Sequence, residues 1–178
     1  MTALADQAVM LRRWVWSAYF EGLTDAELHW EPVPGMWGVR RKTELRTPLV
    51  ADAAPGDYWV DGERPRPDPE PMTTIAWRIA HLTLGTWNWN GFIEDVPVPP
   101  EPSLPFDAEG ALALWRSVLD RFVDVVGELS DERLQERSRA WNGQATFASV
   151  VSHVCLEIAY HSAEVGTLRH LKRAMAAT

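Results

Sequence analysis

Cysteine is almost absent from this sequence, in which Cys155 is the single thiol among 178 residues. One thiol cannot form an intrachain disulfide, so the class of small secreted proteins that depend on disulfides is excluded. The first 16 residues also lack the basic start, apolar run and small-residue cleavage site of a signal peptide. Both absences favour a reducing compartment, and we predict a cytoplasmic protein.

Excess positive charge and long hydrophobic runs are missing as well. The chain has 17 Lys and Arg against 25 Asp and Glu, which gives a net charge of -8. Nucleic-acid-binding proteins usually present a concentrated basic surface to the phosphates, so a nucleic-acid partner is not expected. No window approaches the roughly 18 consecutive apolar residues of a membrane span. The composition therefore predicts a soluble globular protein with no membrane partner.

Proline is concentrated in two stretches, residues 65–71 and 97–105, and does not occur after residue 105. Because proline interrupts helix interiors, these stretches are predicted connections. The remaining segments show the apolar spacing of three and four residues that is typical of amphipathic helices. The predicted long helices span residues of about 4–20, 73–93, 107–129 and 146–175. Asp107 is a predicted N-cap, and Thr24 with Glu27 a predicted capping box for a short turn.

Residues 37–71 contain few periodic apolar positions, and they predict a long connection between the first two long helices with a short hairpin around residues 58–60. Four long amphipathic helices without a convincing set of strands favour an all-α four-helix bundle. The length fits one domain, which we assign to residues 1–178.

The segment HVCLEIAYHSAE, residues 153–164, combines two histidines with two carboxylates on a predicted helix. His153 and His161 differ by about 80° around the helix and about 12 Å along it, so they cannot easily share one ion. Relative to Val154, His161 lies within the apolar stripe at about -20°, Glu157 at its edge near -60°, and His153 on the flank near -100°. The pair that faces the protein interior is therefore Glu157 with His161. An ionised carboxylate in that place is costly unless it is paired or bound to a metal.

A third ligand is expected, because catalytic zinc-type centres usually have three protein ligands and one open position. His81 in TIAWRIAHLTLG lies beside the apolar stripe of the second long helix, and Gly85 one turn later leaves room for a close neighbour. A purely structural interpretation remains open for both helices. His81 can be a hydrogen-bonded structural residue, and Glu157 with His161 can form a simple i,i+4 pair.

Several other residues whose side chains could take part in chemistry are interpreted as structural. His153, His29 and His170 are predicted surface or capping residues, and Cys155 a small packing residue without an activated thiolate. The tryptophans are predicted mostly in the core, and four of them could wall a pocket: Trp77, Trp87, Trp89 and Trp141.

The segments TIAWRIAHLTLG and SVVSHVCLEIAYHSAEVGTLRHL, with PGMWGVRR after the first helix, resemble the DinB/YfiT-like superfamily of metalloenzymes. The resemblance spans nearly the whole chain. It implies a four-helix bundle with a divalent metal held by one histidine of the second helix and two residues, usually histidines, four apart on the last. On this chain the resemblance implies the ligands His81, Glu157 and His161. Glu157 departs from the usual histidine, although a carboxylate is also a legitimate ligand for zinc, nickel, manganese or iron.

For activity, the resemblance implies transfer or isomerisation of a small-molecule substrate through a low-molecular-weight thiol such as mycothiol, bacillithiol or glutathione. Glu164 is then a candidate base or a support for a metal ligand, and Arg40 and Arg41 are candidate contacts to the thiol. Two alternatives stay open: a non-catalytic metal-binding or stress-associated helical bundle, and a metal-dependent hydrolase with water in the open position. A homodimer is expected from the apolar surface that such bundles present.

Overall fold

The structure is a computed structural model in which residues 2–45 and 55–177 are described. Residues 46–54, inside the predicted connection of residues 37–71, lie outside the described residues.

Most of the described chain is helical, which confirms the predicted all-α class. The four long helices begin and end within a few residues of the predicted limits. The α-helices are α1 Ala3–Val15, α2 Asp25–Leu28, α3 Ile75–Glu94, α4 Ala108–Gly127, α5 Asp131–Gln135 and α6 Phe147–Ala176. A π-helical segment, Trp16–Phe20, continues α1, and 3-10 turns occupy Lys42–Glu44 and Ala140–Gly143.

Each long helix starts behind a polar side chain that accepts a hydrogen bond from a backbone N–H of the first turn. The caps are Thr2, Thr74, Asp107 and Thr146. Such caps satisfy N–H groups that have no partner inside the helix, and each typically stabilises a helix by about 1 kcal/mol. The predicted Asp107 cap is confirmed. The predicted capping box is also confirmed, since Thr24 accepts from the N–H of Glu27 and the Glu27 carboxylate accepts from that of Thr24.

A two-stranded antiparallel sheet lies in the connection between α1 and α3. Strand β1, Val39–Arg41, pairs with β2, Tyr58–Val60, so that Val39 lies opposite Val60. The prediction around residues 58–60 is confirmed as a strand of an antiparallel pair, but the hairpin is not short, because a long connection separates β1 from β2. The sheet is anchored by the fully buried Asp61, whose carboxylate accepts hydrogen bonds of 2.9 Å from the Gly38 N–H and the Arg40 guanidinium.

The four long helices share one hydrophobic core. Helix α3 contacts α4 and α6, and α1 contacts the same two helices. The largest fully buried side chains come from several elements and include Trp115, Phe20, Phe122, Phe147 and Ile79. This packing places one face of α3 against one face of α6, and the candidate ligands lie on these two faces. Among the described residues, no helix has both the length and the apolar character to cross a membrane.

The C-terminal half of α6 is fixed by a close approach to the segment after α1. A Cβ atom added at Gly166 would lie 2.5 Å from a ring carbon of Tyr19, so a larger residue would push the two elements apart. Three residues later, the buried Arg169 donates to the backbone carbonyls of Tyr19 and Glu21 and to the Glu27 carboxylate. The register of α6, and with it the direction of its site residues, is therefore set by packing on both sides.

Candidate metal centre

Helices α3 and α6 bring together the three residues that the sequence analysis selected. One ligand atom from each of His81, Glu157 and His161 lies within 4.8 Å of the others. Glu157 Oε2 is 3.2 Å from His161 Nε2 and 3.6 Å from His81 Nε2. Glu157 and His161 share a face because they are four residues apart on α6, and α3 adds His81 from the opposite side. That these residues hold a metal stays a prediction.

The donor set fits a divalent cation. Zinc lies about 2.0–2.2 Å from histidine nitrogens and carboxylate oxygens, so two ligands at a tetrahedral angle are about 3.4 Å apart. The two distances from Glu157 Oε2, 3.2 and 3.6 Å, lie on either side of that value. Two imidazoles with one carboxylate suit zinc in hydrolytic sites and iron in oxygenases. The three side chains can therefore meet one ion with only small movements.

His161 is the most buried of the three, and Glu164 fixes its orientation. The His161 side chain is 10% exposed, and its Nδ1 lies 2.6 Å from Glu164 Oε2. A contact this short is typical of a charge-assisted hydrogen bond in which Nδ1–H donates to the carboxylate. The neutral ring then has a lone pair on Nε2, the nitrogen that faces Glu157. A carboxylate behind a ligating histidine commonly fixes the tautomer and raises ligand basicity.

Arg78 completes this arrangement, and the sequence analysis did not select it. Its Nε lies 3.1 Å from Glu164 Oε2, and its Nη1 lies 3.1 Å from His161 Nδ1. A guanidinium can only donate, so Arg78 competes with Glu164 for His161 Nδ1, and the shorter distance favours Glu164 as the partner. Burial lowers the pKa of Arg78, while the Glu164 charge acts in the opposite direction. Glu164 thus contacts both residues, through a hydrogen bond to His161 and an ion pair with Arg78, and its role as a base stays a prediction.

A sequence signal for Arg78 existed. It lies three residues before His81 on a helix with few other charges, so both side chains project from one face of α3.

His81 is held by a tryptophan. The rings of His81 and Trp77 are stacked in parallel, with centroids 5.0 Å apart and an interplanar angle of 8°. The Trp77 indole N–H donates to the backbone carbonyl of Asp61 at 2.7 Å, which fixes the indole plane. Burial lowers the pKa of His81, and the neighbouring His161 lowers it further. A neutral imidazole is the form that binds a metal.

Two cavities open beside the triad, and His81 lines both. The large cavity, of about 510 Å³, lies on the side of the α1–α3 connection. Its wall includes Trp37, Glu63, Arg64, Arg66, Glu70 and Trp77. The small cavity, of about 180 Å³, lies between α3 and α6 and also touches Glu157. Its wall includes Leu82, Gly85, Thr86, Trp89, His153 and Val154.

The four tryptophans predicted as pocket walls have different positions. Trp77 lines the large cavity and Trp89 the small one. Trp141 packs on Trp89, with ring centroids 5.1 Å apart. Trp87 donates from its indole N–H to the Pro99 carbonyl at 3.2 Å and lines neither cavity.

The remaining histidines lie outside the triad. His153 packs its ring against Trp89 and Trp141, each with centroids 5.2 Å away. His29 stacks on Phe106 at 4.1 Å, and His170 is exposed. The helical geometry that separated His153 from the Glu157–His161 pair therefore agrees with the structure.

Arg40 and Arg41, the suggested thiol contacts, are occupied by other partners. Arg40 forms ion pairs with Asp61 and Glu31, and the Arg41 guanidinium lies over the Tyr58 ring at 5.1 Å. The structure does not place either residue in the wall of the large cavity. Arg64 and Arg66, from the same connection, lie there instead. Sequence reasoning missed them because nothing local distinguishes them from other exposed arginines.

Cys155 is buried on α6 and does not belong to the candidate metal centre. Its residue surface is 3% exposed, and burial raises the pKa of its thiol to about 11. A thiol of this kind is a poor nucleophile at neutral pH.

Comparison with known families identifies one match. The model of the DinB superfamily matches residues 11–165, a region that contains all three triad residues. No curated protein and no solved structure matches the chain.

Proposed function

The chain belongs to the DinB superfamily, and we propose that it is a divalent-metal-dependent enzyme that transfers or isomerises a small substrate through a low-molecular-weight thiol of the mycothiol type. The observation that carries this proposal is the meeting of His81, Glu157 and His161 around one point, with Glu164 behind His161. A structural pair on α6 alone would not require a third, neutral imidazole from α3.

We also infer that α1, α3, α4 and α6 form the four-helix bundle of the superfamily, within a single domain of residues 1–178. The contacts of α3 and of α1 with both α4 and α6 support this architecture. The single buried thiol supports a cytoplasmic location.

Each side chain around the triad has a distinct role in this proposal. His81, Glu157 and His161 would hold the ion, which can be zinc, nickel, manganese or iron. When bound, a divalent ion favours the thiolate form of a thiol and leaves a position open for it. Glu164 keeps a proton on His161 Nδ1, so that Nε2 is the nitrogen available to the ion. Trp77 holds the plane of the His81 ring.

The large cavity is the proposed thiol site. Its wall carries both signs of charge, from Arg64, Arg66, Glu63 and Glu70, and this suits a polar thiol with several hydrogen-bonding groups. In the transfer step, the thiolate sulfur forms a bond to an electrophilic carbon of the substrate. The bond from that carbon to the leaving group breaks, the leaving group takes the electron pair, and the thiol proton passes to water. Cys155 cannot replace the external thiol, since it is buried with a raised pKa.

A non-catalytic function is the second candidate, and one observation favours it. Both ring nitrogens of His161 face carboxylate oxygens, Nδ1 at 2.6 Å and Nε2 at 3.2 Å. This arrangement can also stabilise a histidine between two acids without any metal. A helical-bundle protein with a structural or stress-associated role would need nothing more.

Metal analysis of protein expressed without a histidine tag tests the proposal. We expect about one divalent ion per chain by mass spectrometry, and loss of that ion in His81→Ala and His161→Ala. His170→Ala is the control and should retain the ion, because His170 is an exposed histidine on the same helix as His161. No bound ion after soaking in zinc, nickel, manganese and iron would overturn the proposal and leave the non-catalytic candidate. Substrate screens with and without mycothiol then distinguish thiol transfer from metal-dependent hydrolysis.

We further propose a homodimer formed through a groove between α1 and α6. The groove has a volume of about 740 Å³ and is lined by Met10, Trp14 and Leu156, which are 71%, 52% and 66% exposed. Tyr160, 60% exposed, lies on the same helix. Contiguous exposed apolar surface of this kind commonly marks an interface, and a second copy offers a matching apolar surface.

A further inference from the structure

Gly85 leaves open space beside two of the candidate metal ligands. It lies in the interior of the 20-residue helix α3, yet a Cβ atom built there would meet nothing within 4 Å. The room expected beside Gly85 is therefore present, and no neighbouring side chain occupies it. Glycine in a helix interior is less stable than alanine, and no packing contact compensates for that loss here. The space belongs to the small cavity, which Gly85 lines together with His81 and Glu157.

The size and chemistry of the small cavity define what it can hold. Its volume of about 180 Å³ equals the liquid volume of about six water molecules, and an apolar cavity of about 150 Å³ in another protein admits benzene. Leu82, Val154 and the Trp89 indole supply apolar walls. Glu157 is the one carboxylate in the wall, and in the proposed function it faces the ion. Among the described residues, the lining contains no lysine or arginine, and its polar side chains outside the triad are His153 and Thr86.

A constrained turn lies behind Trp89 and His153, two side chains that line the small cavity. The Trp141 ring packs on both Trp89 and His153. The backbone of Trp141 has a left-handed conformation, with φ 46°. Asn142 and Gly143 follow with φ 56° and 76°. A bulky residue in this region is strained, and such strain persists only where surrounding contacts hold it. The turn therefore holds the Trp141 ring against the two rings that close the cavity.

We propose that the small cavity is the binding site of the electrophilic substrate, a small, uncharged and largely apolar molecule, and that Gly85 sets its size. This inference rests on the proposed thiol-dependent function. The large and small cavities both touch His81, so a thiol in the first and a substrate in the second would be neighbours beside that ligand. The sulfur approaches the reacting carbon from the large cavity, and that carbon is held by the walls of the small one.

The test uses substitutions that fill the cavity from inside. Gly85→Ala adds one methyl group to open space, and Gly85→Val adds more. Gly127→Ala is the matched control, because Gly127 is also helical, lies on α4, and has nothing within 4 Å of its Cβ position. Binding of cyclohexanone, and of the larger 2-decalone, is followed by NMR shifts of the Gly85 amide and Trp89 indole signals, in zinc-loaded and metal-free protein.

We expect cyclohexanone to shift these signals in the wild type and 2-decalone to leave them unchanged. Gly85→Ala should weaken cyclohexanone binding about tenfold, with no change in zinc content and a Tm raised by about 2–4 °C through helix propensity. Gly127→Ala should bind as the wild type does. Equal binding in all variants, or no shifts at all in a protein that loads zinc, would overturn the inference. Failure to load any of zinc, nickel, manganese and iron would instead overturn the proposed function, while the metal-free titration still tests the cavity.

Discussion

The contact between Glu164 and His161 gives the most direct test of how the site is organised. Glu164→Gln keeps the shape of the side chain and removes its charge. His161 Nδ1–H then donates to a neutral amide oxygen in place of a carboxylate 2.6 Å away. Arg78, whose Nε lies 3.1 Å from the same carboxylate, loses its ion pair and remains as an uncompensated positive charge beside the metal position.

The expected loss follows from these contacts. Hydrogen bonds to charged groups contribute about 1.5–3 kcal/mol, and neutral ones about 0.5–1.5 kcal/mol. The difference of about 1–2 kcal/mol corresponds to a decrease of roughly 5- to 30-fold in metal affinity. The unpaired Arg78 charge adds to the loss, partly screened because the Glu164 side chain is 28% exposed. We therefore predict a Kd for zinc or cobalt 10- to 100-fold above that of the wild type, as is usual for carboxylates that support a ligating histidine.

Competition with a chromophoric chelator measures this Kd, and the Tm of the metal-free protein shows whether the variant is folded. Glu128→Gln is the matched control, since Glu128 is an exposed glutamate at the end of α4. Glu164→Asp keeps the charge and should recover part of the affinity. A Kd for Glu164→Gln within about threefold of the wild type, or an equal loss in Glu128→Gln, would refute the role assigned to Glu164.

Two further predictions concern the rest of α6. Because burial raises the pKa of Cys155 to about 11, its thiolate population at pH 8 is on the order of a hundredfold below that of an exposed thiol. Iodoacetamide should therefore label it slowly in the native protein and rapidly in guanidinium chloride, and fast native labelling would contradict the buried position. At the α1–α6 groove, Leu156→Glu should convert a dimer to a folded monomer, as measured by sedimentation velocity. Leu171→Glu is the control and should leave the dimer intact, because Leu171 is an exposed leucine of α6 outside the groove. Dimers that survive Leu156→Glu would exclude this groove as the interface.

The features that the sequence predicted correctly are those governed by local rules. Helix starts depend on a cap and the residues just after it, so Asp107 and the Thr24–Glu27 box could be recognised without tertiary information. The separation of His153 from His161 follows from the angle between helix positions, which does not depend on the fold. The expectation of room beside Gly85 also came from local reasoning, whereas the absence of a neighbour that fills it depends on how the other elements pack.

Features that depend on tertiary contacts could not be predicted from the sequence. The pairing of β1 with β2 joins strands separated by a long connection, and register over such a distance has no local signal. The contacts of Arg78 with Glu164 and His161 form across two helices, so only its spacing from His81 was visible. Arg64 and Arg66 reach the large cavity through the path of the connection, whereas Arg40 is drawn to the buried Asp61.

Glu157, at a position where the family resemblance implies a histidine, can be interpreted through the charges around it. With neutral histidines, the site contains two carboxylates and one guanidinium, from Glu157, Glu164 and Arg78. Glu164 and Arg78 compensate each other at 3.1 Å, so the Glu157 charge is left to the two imidazole Nε2 atoms. One of those imidazoles, on His81, has a lowered pKa and is disfavoured as a cation partner. The Glu157 carboxylate, on a side chain that is 37% exposed, therefore faces the His81 ring and a His161 ring that is already bonded to Glu164. A divalent cation bound here would compensate the Glu157 charge, and in the proposed function Glu157 is a ligand that influences which metal binds.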